Sequence, residues 1–311
     1  MTDRVTAVYP APVPLRALDH TESILPGPIP QEAELTAGVR IEPGRKYGFF
    51  TDTTLCIGCK ACEVACKEWN ALPADEIGLT GQSYDNTGQL SATTWRHVAF
   101  IEKIGDGDGR VTTMAPFQSN WLMMSDVCKH CARAGCLEAC PTGALFRTEF
   151  GTVVVQQDIC NGCGYCVPAC PFGVVELDPN DGKAHKCTLC YDRLKGGLEP
   201  ACAKACPTNS IQFGPLDELQ RRARGRVAGL RALGRTDAYL YGVQDGPDSP
   251  GTTGGIGDLH AFFLLTDRPE VYGLPAAPTL PSTRVRSGLL AGLATMAGLA
   301  LATVAAFAGR E

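Results

Sequence analysis

The grouping of the cysteines is the feature of this sequence that most constrains its fold. All 16 cysteines stand in four groups of four, and none lies outside a group. The groups are Cys56/Cys59/Cys62/Cys66, Cys128/Cys131/Cys136/Cys140, Cys160/Cys163/Cys166/Cys170 and Cys187/Cys190/Cys202/Cys206. The fold must therefore bring closely spaced thiols together at a small number of sites.

The spacing within the groups is typical of iron–sulfur ligation. The third group fits the C-x2-C-x2-C-x3-C-P run with which ferredoxins hold [4Fe–4S] clusters. In this run three thiolates bind one cluster, and the fourth points to a neighbouring cluster. Because 16 thiolates suffice for four such clusters, the sequence predicts an electron carrier with four [4Fe–4S] clusters.

Other uses of cysteine fit this pattern less well. Disulfides suit small secreted chains, whereas 311 residues can bury a core without them and C-x2-C-x2-C spacing hinders their pairing. Structural zinc typically uses two C-x2-C pairs that are separated by a longer stretch. A zinc-stapled scaffold or assembly protein remains the alternative from a different class. Brown colour, iron and acid-labile sulfide would separate the two.

The lengths of the gaps between groups predict which motifs share clusters. Only 19 residues (141–159) separate Cys140 from Cys160, which is short enough for two motifs to fold back as one two-cluster ferredoxin. A gap of 61 residues (67–127) separates Cys66 from Cys128, so the first and fourth motifs are left to pair. The predicted ligand sets are Cys56/Cys59/Cys62/Cys206, Cys128/Cys131/Cys136/Cys170, Cys160/Cys163/Cys166/Cys140 and Cys187/Cys190/Cys202/Cys66.

Composition and missing motifs exclude several other functions. A hydrophobic content of 44% indicates a folded protein, and a net charge of −5 without a Lys/Arg run gives no support for nucleic-acid binding. The sequence has no Gly-rich nucleotide loop, no Ser/His/Asp set and no histidine pair with the spacing of a haem site. We therefore expect this chain to bind no haem, nucleotide or pterin and to carry no catalytic residue.

The predicted fold class is α+β, with two ferredoxin-like double-cluster modules, an inserted β-hairpin subdomain and a C-terminal transmembrane helix. The hairpin is predicted from the strand-like run Thr93–Ile104 and the Gly105–Gly109 turn that follows it. An amphipathic helix is expected over 216–233. The predicted domains are a Pro-rich extension (1–46), the four-cluster region (47–214, with the insertion 67–127), the helix with a Gly/Pro-rich crossing segment (215–282) and the anchor (283–311).

Residues 288–308 predict the membrane anchor. They contain no charge and are long enough to span a bilayer, and the Gly288/Gly292 pair favours close helix packing. A buried Ala-rich helix is the alternative. Arg284 and Arg286 before the run favour the cytoplasmic side for the soluble domain, but Arg310 follows the run and the bias is weak.

Residues beside the cysteines could adjust the clusters. His130 lies between two cysteines of a complete group, so we expect it near a cluster or at the surface rather than as a ligand. Lys60, Lys129 and Lys186 also adjoin cysteines. They either offset the negative charge of the clusters and raise their potentials, or are solvated.

Two motifs resemble a known family. Cys56-Ile-Gly-Cys-Lys-Ala-Cys-Glu-Val-Ala-Cys-Lys-Glu-Trp-Asn70 and Lys186-Cys-Thr-Leu-Cys-Tyr-Asp-Arg193, with Glu199-Pro-Ala-Cys-Ala-Lys-Ala-Cys-Pro-Thr208, resemble the iron–sulfur (beta) subunit of respiratory membrane-bound formate dehydrogenases. The stretch His260–Pro275 and the C-terminal apolar run are also similar. The resemblance covers residues 46–310.

This resemblance implies a subunit of a larger enzyme. A catalytic alpha subunit with molybdenum or tungsten bis-pterin would oxidise formate and pass electrons to this chain, which would deliver them to a membrane cytochrome b (gamma) subunit and quinone. Relay subunits of hydrogenases and of polysulfide or dimethyl sulfoxide reductases share this architecture and are the alternative. Nitrate-reductase relatives replace one cysteine by Trp, whereas all are present here.

The resemblance also bears on location. Residues 1–20 show no signal peptide, and the family precedent is export of the folded alpha–beta pair with the signal of the catalytic subunit. We therefore expect a single-pass protein of the inner cell membrane, with its soluble domain on the extracytoplasmic face.

Overall fold

The computed structural model covers the cysteine-rich region and most of the chain that follows it. The described residues are 40–74, 78, 81, 84–85, 87–102, 121–244 and 255–308. Residues 1–39 of the predicted Pro-rich extension and the predicted Gly105–Gly109 turn lie outside the described residues.

A four-stranded sheet brings together early and late parts of the chain. Its strands are β1 (Tyr47–Asp52), β8 (Ile211–Pro215), β9 (Tyr239–Tyr241) and β10 (Ala261–Leu265). They lie in the order β8-β1-β10-β9, with β1 and β10 parallel and the other two pairs antiparallel. The segment 235–282, predicted as a Gly/Pro-rich crossing, thus contributes two strands, one of them central.

The two central strands are apolar because both of their faces are covered. Every residue of β1 and of β10 is buried, which matches the continuous apolar runs of strands packed on both sides. At Gly48 a Cβ atom would lie 2.0 Å from the carbonyl oxygen of His260. Only glycine therefore allows β1 to approach the start of β10 this closely.

Three antiparallel strand pairs lie around the cysteine motifs. They are β2 (Arg96–Glu102) with β3 (Trp121–Val127), β4 (Leu145–Arg147) with β5 (Val153–Val155), and β6 (Glu176–Leu177) with β7 (Ala184–His185). The strand predicted over Thr93–Ile104 corresponds to β2. The residues between β2 and β3 are not among those described.

The helices that carry cysteines are short, because each motif must turn the chain back toward its own thiols. They include α1 (Ala61–Trp69), α2 (Gly135–Glu138), α3 (Cys166–Ala169), α4 (Tyr191–Lys195) and α5 (Ala201–Lys204). α1 carries Cys62 and Cys66 and packs against α5, which carries Cys202. The first and fourth motifs are therefore neighbours.

The helix predicted over residues 216–233 is present as α6 (Leu216–Ala232). Leu219, Ala223, Val227 and Leu230 recur every three or four residues and are buried, as expected for one apolar helix face. They belong to an apolar core that includes residues of β9 and β10 and contains no buried cysteine. A second core, which includes buried cysteines, lies among the motifs.

The C-terminal helix, α7 (Pro281–Ala308), follows a 3₁₀ turn at Pro269–Tyr272 and is apolar along most of its length. Its stretch Gly288–Ala308 comprises 21 residues with a mean hydropathy of 2.0, none of them buried. The hydroxyls of Thr295 and Thr303 donate to carbonyls four residues earlier, so they need no water. The helix is long and apolar enough to span a membrane, and its exposure does not fit the alternative of a buried Ala-rich helix.

Candidate metal centres

The 16 cysteines all lie in the described residues, and none of them forms a disulfide. Three cavities lie between them. Four cysteines line each cavity: Cys56/Cys59/Cys62/Cys206 the first, Cys128/Cys131/Cys136/Cys170 the second and Cys140/Cys160/Cys163/Cys166 the third. Each set combines cysteines of two motifs.

The remaining four cysteines form a fourth set in the interior. Cys66, Cys187, Cys190 and Cys202 are all buried. Burial raises the pKa of the Cys66 thiol well above its usual range, and the charges of Cys187 and Cys202 raise it further. The structure thus brings the thiol of the first motif's last cysteine to three thiols of the fourth motif.

Left-handed backbone positions shape the loops that carry the thiols. Lys60, His130, Leu189 and Cys190 all have positive φ, between 43° and 59°. Such turns point backbone N–H groups inward, where they meet negative charge. The N–H of Leu189 donates to Cys187 Sγ at 3.3 Å, and that of Ile211 to Cys206 Sγ at 3.5 Å. Backbone N–H groups around these loops therefore donate hydrogen bonds to the sulfurs.

Burial makes these thiols hard to ionise without a cation. It raises the pKa of Cys62 and Cys136 to about 12 and that of Cys166 to about 11. At neutral pH they stay protonated unless a metal replaces the proton, as metal binding by thiols requires. The sites are thus organised for a group that brings positive charge to four sulfurs.

The donor set and its arrangement fit an iron–sulfur cluster. Thiolate-only ligation selects zinc or Fe–S clusters. Structural zinc typically takes its four ligands as two C-x2-C pairs. Here each cavity is lined by three closely spaced cysteines of one motif and one cysteine of another, as in two-cluster ferredoxins. The residues therefore fit [4Fe–4S] clusters better than single zinc ions.

A buried arginine lies between the first and fourth sets. Arg96 is 1% exposed, and its Nη2 donates to Cys202 Sγ at 3.2 Å. Its Nη1 donates to Ser125 Oγ at 3.2 Å, and that oxygen lies 3.2 Å from Cys62 Sγ. Arg96 and Ser125 lie on β2 and β3, outside the cysteine motifs, and no local signal in the sequence marks them as neighbours of the thiols.

The lysines beside the cysteines differ in their surroundings. Lys129 is buried, pairs with Asp126 and lies over the Phe172 ring, 5.2 Å from its centroid. Lys186 is also buried and donates to the carbonyl oxygens of Val153 and Cys187. Since both are buried, neither is a solvated surface lysine. Lys60 is partly exposed and pairs with Glu63 at 3.2 Å.

His130 lines the second cavity but is held by the backbone. Its Nδ1 accepts the N–H of Val153 at 3.1 Å, which leaves the ring proton on Nε2. Burial lowers the pKa of His130 well below its usual range, and the charge of Lys186 lowers it further. Among the described residues, Nε2 has no hydrogen-bond partner.

The Lys-Glu-Trp-Asn tail of the first motif contacts the fourth motif. The indole Nε1 of Trp69 donates to Asp192 at 2.8 Å, and the guanidinium of Arg193 lies 4.1 Å from the centroid of the Trp69 ring. Asn70 donates to the Cys66 carbonyl at 2.8 Å. This tail therefore fixes Cys66 beside the fourth motif.

Comparison with known proteins points to the same chemistry. Two family models described as a 4Fe-4S dicluster domain match residues 119–216 and 55–144. These matches imply two to four [4Fe–4S] clusters, so a zinc-stapled scaffold is not supported.

Individual relatives are similar over most of the chain. The formate dehydrogenase iron-sulfur subunit of Haemophilus influenzae is 41% identical over 261 residues, 82% of this chain and 77% of the relative. The nitrate-inducible formate dehydrogenase iron-sulfur subunit of Escherichia coli is 40% identical over 263 residues, 83% and 81%. The B subunit of the anaerobic dimethyl sulfoxide reductase of Escherichia coli is 36% identical over 190 residues, 61% and 83%. These matches confirm the resemblance that the motifs indicate.

Proposed function

Since this chain belongs to the family of formate dehydrogenase iron–sulfur subunits, we propose that it is the electron-transfer subunit of such an enzyme. The observation that carries the proposal is the gathering of 16 cysteines into four sets of four. Four [4Fe–4S] clusters would supply a series of one-electron carriers. The chain itself would hold the clusters, exclude water and adjust their potentials. No residue is assigned to chemistry on formate.

We propose that each cluster is held by three cysteines of one motif and the last cysteine of its partner motif. The proposed sites are site 1 (Cys56, Cys59, Cys62, Cys206), site 2 (Cys128, Cys131, Cys136, Cys170), site 3 (Cys160, Cys163, Cys166, Cys140) and site 4 (Cys187, Cys190, Cys202, Cys66). The thiol sets around the three cavities and the interior set support this assignment.

The neighbours of the sites support an electron path in the order 1-4-2-3. Arg96 and Ser125 connect Cys62 of site 1 to Cys202 of site 4. After burial, the charge of Cys128 from site 2 is the largest cause that raises the pKa of Cys187 from site 4. Cys166 of site 3 is among the charges that act on Cys136 of site 2.

The two ends of this path are the places where the sites reach the surface. Cys59 of site 1 and Cys163 of site 3 are the exposed cysteines. The C-terminal helix begins beside α2, because Ser282 donates to Glu138 at 2.5 Å. α2 carries Cys136 of site 2 and leads to Cys140 of site 3, and of these two sites only site 3 has an exposed cysteine. We therefore assign site 1 to a catalytic subunit with molybdenum or tungsten bis-pterin and site 3 to a membrane cytochrome b.

The remaining parts of the chain receive structural roles in this proposal. The β2-β3 pair is an inserted subdomain within residues 67–127. Residues 215–282 supply α6 and the strands β9 and β10 of the four-stranded sheet, before the anchor at 283–311. The soluble domain lies on the extracytoplasmic face, exported together with the catalytic subunit. Residues 1–46 form a Pro-rich extension.

Metal analysis and EPR spectroscopy test this function. The complex is purified anaerobically, and iron, acid-labile sulfide and zinc are measured per chain. We expect close to sixteen irons, four for each cluster, and [4Fe–4S] spectra after reduction by formate. The proposal would be contradicted if zinc were the main metal, or if no electron donor reduced the metal centres.

A second candidate follows from the match to the dimethyl sulfoxide reductase subunit. That match covers 61% of this chain, against 82% and 83% for the two formate dehydrogenase subunits. Formate dehydrogenase is therefore favoured. Dye-linked assays of the purified complex with formate and with dimethyl sulfoxide distinguish the two, since only one substrate is expected to exchange electrons with the dye.

A further inference from the structure

We propose that Arg96 couples sites 1 and 4 electrostatically and raises the reduction potential of both. This inference rests on the proposed function, because it assumes that these two thiol sets hold clusters. Arg96 lies on a strand, outside every cysteine motif, and would adjust the reduction potentials of two neighbouring clusters together.

The guanidinium of Arg96 is buried without a carboxylate partner among the described residues. Its hydrogen bonds go to Ser125 and Cys202, and the ring of Phe49 lies 4.7 Å from its Cζ. A buried cation is strongly unfavourable unless negative charge lies close to it. The negative charge that is available here is that of the cysteine ligands and of the clusters they would hold.

Arg96 reaches one ligand of each site. Nη2 donates directly to Cys202 Sγ of site 4. Nη1 donates to Ser125 Oγ, so the hydroxyl proton of Ser125 is available to Cys62 Sγ of site 1, which is 3.2 Å away. One fixed charge therefore acts directly on one site and through a single hydroxyl on the other.

The sign of the effect follows from the charge that reduction adds. An electron makes a cluster more negative, so a fixed cation and hydrogen bonds to the ligating sulfurs favour the reduced state. Losing the cation should therefore lower both potentials. A tenfold change in the equilibrium constant of a one-electron couple corresponds to about 59 mV.

Neighbouring lysines do not provide the same link. Lys129 is neutralised by Asp126, and Lys186 donates to the backbone oxygens of Val153 and Cys187. Among Arg96, Lys129 and Lys186, only Arg96 donates a hydrogen bond to a cysteine sulfur in the described part of the chain.

The experiment is an EPR-monitored redox titration of the purified complex and its variants. In Arg96→Gln we expect the clusters of sites 1 and 4 to become at least tenfold harder to reduce, about 59 mV each. Arg96→Lys should retain most of the wild-type potentials. Ser125→Ala should shift the cluster of site 1 and leave that of site 4 in place. Sites 2 and 3 should not change in any variant.

Arg226→Lys is the matched control. Arg226 is also buried, but it pairs with Asp52 at 2.8 Å, so its replacement should leave all four potentials unchanged. Unchanged potentials in an iron-replete Arg96→Gln complex would overturn the coupling and leave the proposed function intact. If Arg96→Gln loses iron, Ser125→Ala decides, and an unshifted site 1 overturns the coupling. A wild-type complex without iron would instead overturn the proposed function.

Discussion

At the scale of single residues, the last cysteine of each motif has the most distinctive position. Cys66 belongs by sequence to the first motif, yet its thiol lies among those of Cys187, Cys190 and Cys202. After Cys66, Trp69 donates a hydrogen bond to Asp192 of the fourth motif, and Asn70 donates one to the Cys66 carbonyl. These two contacts hold the end of the first motif in place. A substitution in one motif is therefore expected to affect the cluster of another.

Changing Cys66 to serine tests this exchange. Because thiolate ligation is coupled to folding, Cys66→Ser should lose or convert the cluster held with Cys187, Cys190 and Cys202 and leave the cluster near Cys56 more nearly intact. EPR spectroscopy and iron analysis measure the damage. We expect each chain to lose about four irons if the cluster is lost, and fewer if it is converted. Cys206→Ser is the matched variant and should damage the other cluster of the pair. Damage to the Cys56 cluster in Cys66→Ser would mean that each motif ligates its own cluster.

The sequence predicts the ligands far better than their surroundings. The thiol sets in the structure have the same membership as the predicted ligand sets, because motif spacing and gap length limit which thiols can meet; ligation itself stays a prediction. Arg96 and Ser125 could not be found in this way. Their approach to Cys202 and Cys62 depends on how the β2-β3 pair packs on α1 and α5, which no local pattern encodes.

At the scale of elements, α7 is attached to a cysteine-carrying helix. Leu280 lies against Gly135, and Ser282 bonds to Glu138 of the same helix, α2. The helix that is long and apolar enough to span a membrane therefore starts from the cysteine-rich region rather than from a free linker. The apolar run itself was predictable from its composition, whereas this attachment was not.

Ending the chain after Thr283 tests the anchor while it keeps the contact between Ser282 and Glu138. The truncated complex should be soluble, still brown, and active with an artificial dye but not with quinone, because the run Gly288–Ala308 is missing. Fractionation and the two assays measure this. In cells that lack the proposed cytochrome b, membrane retention of the truncated form after a high-salt wash would contradict the prediction.

The close approach of β1 to the start of β10 leaves no room for a side chain at Gly48. In Gly48→Ala the new Cβ would lie 2.0 Å from the His260 carbonyl oxygen, so the strands must separate. We expect a loss of roughly 3 kcal/mol or more, enough to abolish most soluble protein, since overpacking a core typically costs 1–3 kcal/mol. Gly225→Ala is the control, since Gly225 is exposed on α6 and no described part of the chain outside its own helical backbone lies within 4 Å of a new Cβ. It should be neutral or stabilising by up to about 1 kcal/mol, as measured by thermal denaturation.

At the scale of the whole molecule, two cores differ in their dependence on metal. One includes buried cysteines such as Cys62, Cys136 and Cys202, whereas the other contains apolar side chains of α6, β9 and β10 and no buried cysteine. Because metal ligation by thiols is coupled to folding, we expect the first core to depend on its bound metal. The second core has no buried cysteine, so we expect it to be independent of metal.

Removing the iron anaerobically with a chelator should therefore unfold the chain unevenly. Hydrogen exchange with mass spectrometry is expected to show lost protection in the cysteine motifs and retained protection in α6 and in the β9-β10 pair. The metal-loaded protein is the reference. Equal loss across both regions would show that the two cores unfold as one unit, and unchanged protection in the motifs would show that their fold does not depend on metal.

The parallel pairing of β1 with β10 also determines when the sheet can form during synthesis of the chain. Thr53 donates to the carbonyl of Leu264, and the two residues are 211 positions apart. All 16 cysteines are made before β10, so a ribosome halted ahead of residue 261 would hold a chain with every thiol but an incomplete sheet. Contacts of such long range form slowly and late. Sheet closure would then overlap with synthesis of α7, after every thiol has already been made.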